Sequence, residues 1–216
     1  MGFGINHVMV GPINKTLDLV VTRVRRARGD AVRVKFSDLV ERYGVVLDDD
    51  ESRELAGLPV LEADAGADEV AEVMIALEAK ACMTEHSKSM PRLHAEILAT
   101  GYLAKRAQPR CITVSYTLVN AAESFITPSG SSRRNLHAQP DDARHVIEML
   151  GRAIPLARDV SPLGYDVMGA TVLNCANDGS RVSVVEGDPA PARSNHLHYE
   201  RMIVGLCSEY RARFGL

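Results

Sequence analysis

The segment Val73-Met74-Ile75-Ala76-Leu77-Glu78-Ala79-Lys80 carries the most structural information in the chain. Its first five residues form a short, continuous apolar run, the pattern of a strand covered on both faces. On such a strand residues two apart share a face, so Glu78 and Lys80 project together while Ala79 points away. Upstream, Asp64-Ala65-Gly66-Ala67-Asp68-Glu69 is small and polar enough to hold a strand end and a turn. A β-hairpin over 60–80 is therefore expected. Antiparallel pairing centred on residue 71 sets Asp64 opposite Glu78. Pairing Asp68 with Glu78 would instead put the turn inside the apolar run. The hairpin thus brings two carboxylates and one ammonium to a single spot.

The flanking segments supply more strands and the helices to cover them. Leu17, Val20, Val21 and Val24 follow helical spacing, and 15–28 is expected as an amphipathic helix. Arg23, Arg25, Arg26 and Arg28 crowd its C-terminal end, where positive charge suits the helix dipole. Ser37 is placed to cap a short helix ending at Gly44. The acidic run Asp48 to Glu51 reads as a solvated loop. Pro91 suits the first turn of a helix that ends near Lys105 or Arg106. Residues 111–119 alternate apolar and polar as a half-buried strand does. Residues 127–140 read as a mobile loop, and Asp141-Asp142 opens a helix that Pro155 ends or kinks. Strands are expected at 168–175 and 181–186 around the turn Asn177-Asp178-Gly179, and a last helix over 195–214. This order gives an α/β fold, a mixed central β-sheet flanked by α-helices.

Composition narrows the function. The 216 residues are 46% hydrophobic and 25% charged, which suits a packed core and excludes wholesale disorder. A formal charge of −3 excludes a broadly basic nucleic-acid coat, so any such contact rests on local clusters. Only five residues are lysine, namely Lys15, Lys35, Lys80, Lys88 and Lys105. No apolar run reaches the ~18 residues of a membrane span. The first residues lack the basic and apolar regions of a signal peptide, and a cytoplasmic protein is expected. The four cysteines form no C-x-x-C pair, and Cys111 and Cys207, set in apolar segments, read as buried thiols. His196 and His198, with His94 or His145, lack a clear third partner for zinc.

Two close carboxylates raise each other's proton affinity, a cost that a hard divalent cation removes. Mg²⁺ takes one or two carboxylates and keeps several waters. Such a cation makes a bound water more acidic and steadies charge on a phosphoryl oxygen. A neighbouring lysine orients the water or stabilises the developing charge. The Asp64, Glu78 and Lys80 set is thus suited to phosphodiester hydrolysis.

On these residues the chain resembles the PD-(D/E)XK nuclease superfamily, which includes most type II restriction endonucleases and also repair and phage nucleases. Ala63 stands before Asp64 where that family's motif carries proline. The resemblance implies a restriction-endonuclease-like core of a helix, a three-stranded meander, a second helix and a further strand. Here that core spans about 34–120 of a single nuclease domain, 1–216. The 141–216 portion would complete the sheet or serve dimerisation or DNA recognition. By resemblance Asp64 and Glu78 bind Mg²⁺, with Mn²⁺ able to substitute, and Lys80 positions the attacking water. Glu41 is a candidate for a further acid of the site. His86, Lys88 and Arg92 would lie near a bound phosphate, and Arg133 and Arg134 would grip DNA phosphates. The expected function is a Mg²⁺-dependent, type II restriction-like endonuclease acting on double-stranded DNA, as a homodimer. The alternatives are a catalytically silent nucleic-acid-binding or assembly protein with the same fold, and a phosphohydrolase of small substrates.

Overall fold

A computed structural model describes residues 2–9, 14–24, 33–34, 38, 40–41, 44–56, 61–63, 70–128, 133–160 and 164–215. The described elements are β1 (Gly2–Met9), β2 (Lys15–Val24), β3 (Arg33–Val34), α1 (Asp49–Ala56), β4 (Leu61–Ala63) and β5 (Val70–Cys82). There follow α2 (His86–Ala107), β6 (Ile112–Asn120), β7 (Ser124–Ile126), β8 (Arg134–Leu136), α3 (Asp141–Val160), β9 (Val167–Asn174), β10 (Ser183–Val184) and α4 (Tyr199–Phe214).

The chain is an α/β protein built on a mixed sheet in the order β10-β9-β6-β5-β2-β1-β4-β3. Strands β1, β2 and β5 form an antiparallel meander, and β6 and β9 continue it parallel to β5. Parallel neighbours need a crossover, and α2 supplies the one between β5 and β6, as α3 does between β6 and β9. Side-chain alternation then sorts the core into two layers. On one face Leu93 and Ile97 of α2 and Val146 and Leu150 of α3 pack on Val119, Met168, Ala170 and Val172. On the other, Met202, Leu206 and Tyr210 of α4 cover Ile112, Val114, Val167, Ile75 and Leu77.

The expected helix over 15–28 is strand β2, because four of the five residues at 20–24 (Val20, Val21, Thr22 and Val24) are β-branched and favour a pleated surface. The expected hairpin over 60–80 does not form. Strand β5 has β2 on one edge and β6 on the other, while β4 pairs with β1 and β3. The acidic run is not a loop but the start of α1. Asp48 Oδ1 accepts the Asp50 and Glu51 N–H groups at 2.9 and 2.8 Å, and Glu51 Oε2 accepts the Asp48 N–H at 2.9 Å, a reciprocal capping box. Helix α2 begins five residues before Pro91, and α3 runs through Pro155 to Val160. The segment 127–140 contains β8, which pairs with β7 as a separate two-stranded ribbon. Cys111 is buried as expected, but Cys207 is exposed on α4. Among the described residues no helix is long and apolar enough to cross a membrane.

Candidate active site

The site lies where β2 and β5 part company, across from Glu96 in the middle of α2. Their ladder runs to Leu19 opposite Leu77. One residue further out, the Asp18 carboxylate rather than a β2 carbonyl accepts the Ala79 N–H, at 2.6 Å. Asp18 is therefore fixed between Glu78 and Lys80 in sequence register, from 61 residues away.

Glu78 is only 3% exposed. Its Oε1 receives both the Lys15 ammonium, at 2.8 Å, and the Lys80 ammonium. Its Oε2 is buried and has no protein hydrogen-bond partner. Lys80 also reaches Glu96 Oε2 on α2 at 3.3 Å, and Arg92 donates to Glu96 Oε1 at 2.6 Å. A chain of alternating charge thus runs Lys15, Glu78, Lys80, Glu96, Arg92. Burial alone would lower the Lys80 pKa, but Glu78 and then Glu96 outweigh it and hold it above the ordinary lysine value. Arg92 and then Lys80 keep the Glu96 carboxyl below its usual range against a smaller opposing effect of burial.

Behind Glu78 the sheet carries hydroxyls. Ser115 and Thr117 of β6 stand beside Glu78 and Lys80 in the parallel register, and both oxygens are buried without a protein partner. The Tyr165 hydroxyl, near Thr100, lacks a well-formed hydrogen bond, and burial, then the Glu78 and Asp18 charges, push its pKa up. An unpartnered carboxylate oxygen is costly to bury, and a cation or a donated proton relieves that cost. With Asp18 alongside, the donor set suits a hard cation that takes two carboxylates and fills its remaining positions with water. Among the described residues no group of three or more His, Cys, Asp or Glu side chains is placed to hold a metal unaided. Surface hollows of about 340 and 500 Å³ lie elsewhere, and neither is lined by Asp18, Glu78 or Lys80.

Of the residues expected from sequence, Glu78 and Lys80 do meet on one face of β5. Asp64 lies outside the described residues, and residues 61–63 just before it pair with β1 and β3 rather than with β5. His86 is no phosphate contact. It is 2% exposed, its Nε2–H donates to the Asn120 carbonyl at 2.8 Å, and its ring meets His137 edge-on. Burial, above all, lowers its pKa. Lys88 is exposed and paired with Glu85 at 2.7 Å, and Arg92 is exposed beside Glu96. Arg133 and Arg134 are exposed on the β7–β8 ribbon, where Arg133 is near enough to Glu85 to act on its charge. Glu41 is exposed on a helical turn between β3 and α1 and takes no part in the Lys15–Arg92 chain. Asp18, Lys15, Glu96 and Tyr165 were not anticipated; the β-branched run at 20–24 was the available signal for the strand that carries the first two. No family model, curated protein or solved structure matches this chain.

Proposed function

We propose that the chain is a Mg²⁺-dependent endonuclease that hydrolyses phosphodiester bonds of double-stranded DNA, with Asp18, Glu78 and Lys80 as its acting residues. Asp18, and not Asp64, supplies the second carboxylate beside Glu78. The observation that carries this reading is Glu78, a buried carboxylate with an unpartnered oxygen, set between a second carboxylate and two lysines. The succession of meander, α2 and parallel β6 supports it, being the order that the PD-(D/E)XK resemblance implies. Two departures stand beside that support. Among the described residues no helix precedes the meander, and residues 25–69 intervene between its second and third strands.

Asp18 and Glu78 would hold Mg²⁺, or Mn²⁺ in its place. When bound, the ion supplies a more acidic water and charge neutralisation at a phosphoryl oxygen. Lys80, kept protonated by two carboxylates, orients the attacking water and stabilises charge building on the phosphate. Glu96 anchors Lys80 from the helix side and so fixes its aim. Exposed Lys88, Arg92 and Arg133 gather at the start of α2 and would position the backbone of the substrate. A homodimer would let two such sites cut both strands. The test is digestion of a long duplex DNA with Mg²⁺ or Mn²⁺. Discrete bands or a smear support the reading. Intact DNA that is nonetheless bound by the protein replaces it with the silent binding reading.

A further inference from the structure

We infer that Lys15 is a second functional lysine, one that competes with a divalent cation for Glu78 and would turn to a DNA phosphate when displaced from it. This rests on the endonuclease reading above and deepens it. Two ammoniums converge on the single oxygen Glu78 Oε1, Lys15 at 2.8 Å and Lys80 beside it. Their situations differ. Lys80 has a second carboxylate, Glu96, to hold it. Among the described residues Glu78 is the one acidic partner of Lys15. Both ammoniums would be repelled by a cation held on Asp18 and Glu78, since like charges this close disfavour one another strongly. Lys80 would keep Glu96 as a partner, and Lys15 would be released. Its side chain is 26% exposed at the first residue of β2, three residues before Asp18, so it would meet solvent on the side where Glu78 lies. A phosphodiester anion drawn to that cation is then its nearest available counter-charge.

The two roles make opposite demands, and this gives the inference a signature. Removing the Lys15 charge takes away a competitor for Glu78 and tightens cation binding. The same change removes a phosphate contact and slows cleavage. A lysine that merely braced the sheet would, on removal, weaken the site or leave it unaltered. The experiment compares the full-length wild type with Lys15→Gln and Lys15→Arg, each first checked for an unchanged thermal midpoint. Calorimetric titration with Mg²⁺ in the absence of DNA is expected to show roughly tenfold tighter binding for Lys15→Gln and wild-type affinity for Lys15→Arg. Cleavage at saturating Mg²⁺ is expected to fall about tenfold or more for Lys15→Gln and to recover in part for Lys15→Arg. Mg²⁺ binding by Lys15→Gln that is no tighter than wild type overturns the inference. Tighter binding with undiminished cleavage overturns its phosphate half. A wild type that binds Mg²⁺ but never cuts overturns the endonuclease reading instead, while the titration still supports or overturns the competition at Glu78.

Discussion

Asp18 and Asp64 offer two routes to one pair of carboxylates, and a single substitution at each separates them. The β2 ladder carries Asp18 to the Ala79 N–H, while residues 61–63, just before Asp64, pair with β1 and β3 and not with β5. Asp18→Ala is therefore expected to reduce Mg²⁺-dependent plasmid nicking to background, and Asp64→Ala to retain it. A comparable loss in Asp64→Ala would return the role to that residue. Lys80→Ala should lower kcat on the order of 10²–10³-fold, the usual scale for removing one group that stabilises developing charge. Glu78 and Lys80 were legible because both sit on one strand, where a spacing of two fixes their faces. Asp18 was not, because its place beside them depends on a pairing between strands 61 residues apart. His86 shows the converse error. Its position next to the motif suggested exposure, yet the first turn of α2 rotates it inward against Asn120 and His137.

Strand β2 carries two conflicting signals, because Leu17, Val20, Val21 and Val24 satisfy a 3.6-residue period while the same stretch is rich in β-branched residues. Tertiary contact settled the conflict, since β1 and β5 flank β2 and satisfy its backbone on both sides. The capping box of α1, by contrast, is a local signal that Asp48-x-x-Glu51 carries in the sequence itself. Helix α4 is placed by a different device. Gly169 of β9 lies under Met202, and a Cβ there would stand 3.0 Å from Met202 Cβ and closer still to its sulfur. The absent side chain lets the helix approach the sheet. Gly169→Ala is expected to destabilise the protein by about 1–3 kcal/mol, the usual cost of overpacking, measured as a lower urea midpoint. An unchanged midpoint would mean that α4 shifts outward without loss.

The layers on the two faces of the sheet are tied together through Asp166. It accepts Lys105 of α2 at 2.5 Å, pairs with Arg213 of α4, and takes the Thr113 N–H of β6 at 2.8 Å. Burial opposes its ionisation, but Arg213, Lys105 and the Thr113 N–H together hold its pKa below the ordinary aspartate value of 3.8. A carboxyl with a depressed folded pKa contributes stability that is full above its unfolded value and lost as pH falls through the folded value. Asp166→Asn is thus expected to cost about 3–5 kcal/mol at pH 7, as removal of one partner from a buried ion pair does. The deficit should shrink as pH falls below about 4. Urea unfolding at pH 7 and at about pH 3 checks this, and a deficit that does not change with pH would assign the effect to packing alone.

Composition and short-range spacing sufficed for a packed α/β fold and for the Glu78-x-Lys80 pair, because both follow from periodicity along one segment. The strand β6, the later strand and helix regions, and the apolar β5 were readable for the same reason. The identity of the second carboxylate, the presence of Lys15 and the inward turn of His86 depended on which distant strands pair and in what register. Register is a property of the whole sheet, in which burial of one strand's face selects its neighbour's alignment, and no single stretch of residues contains it.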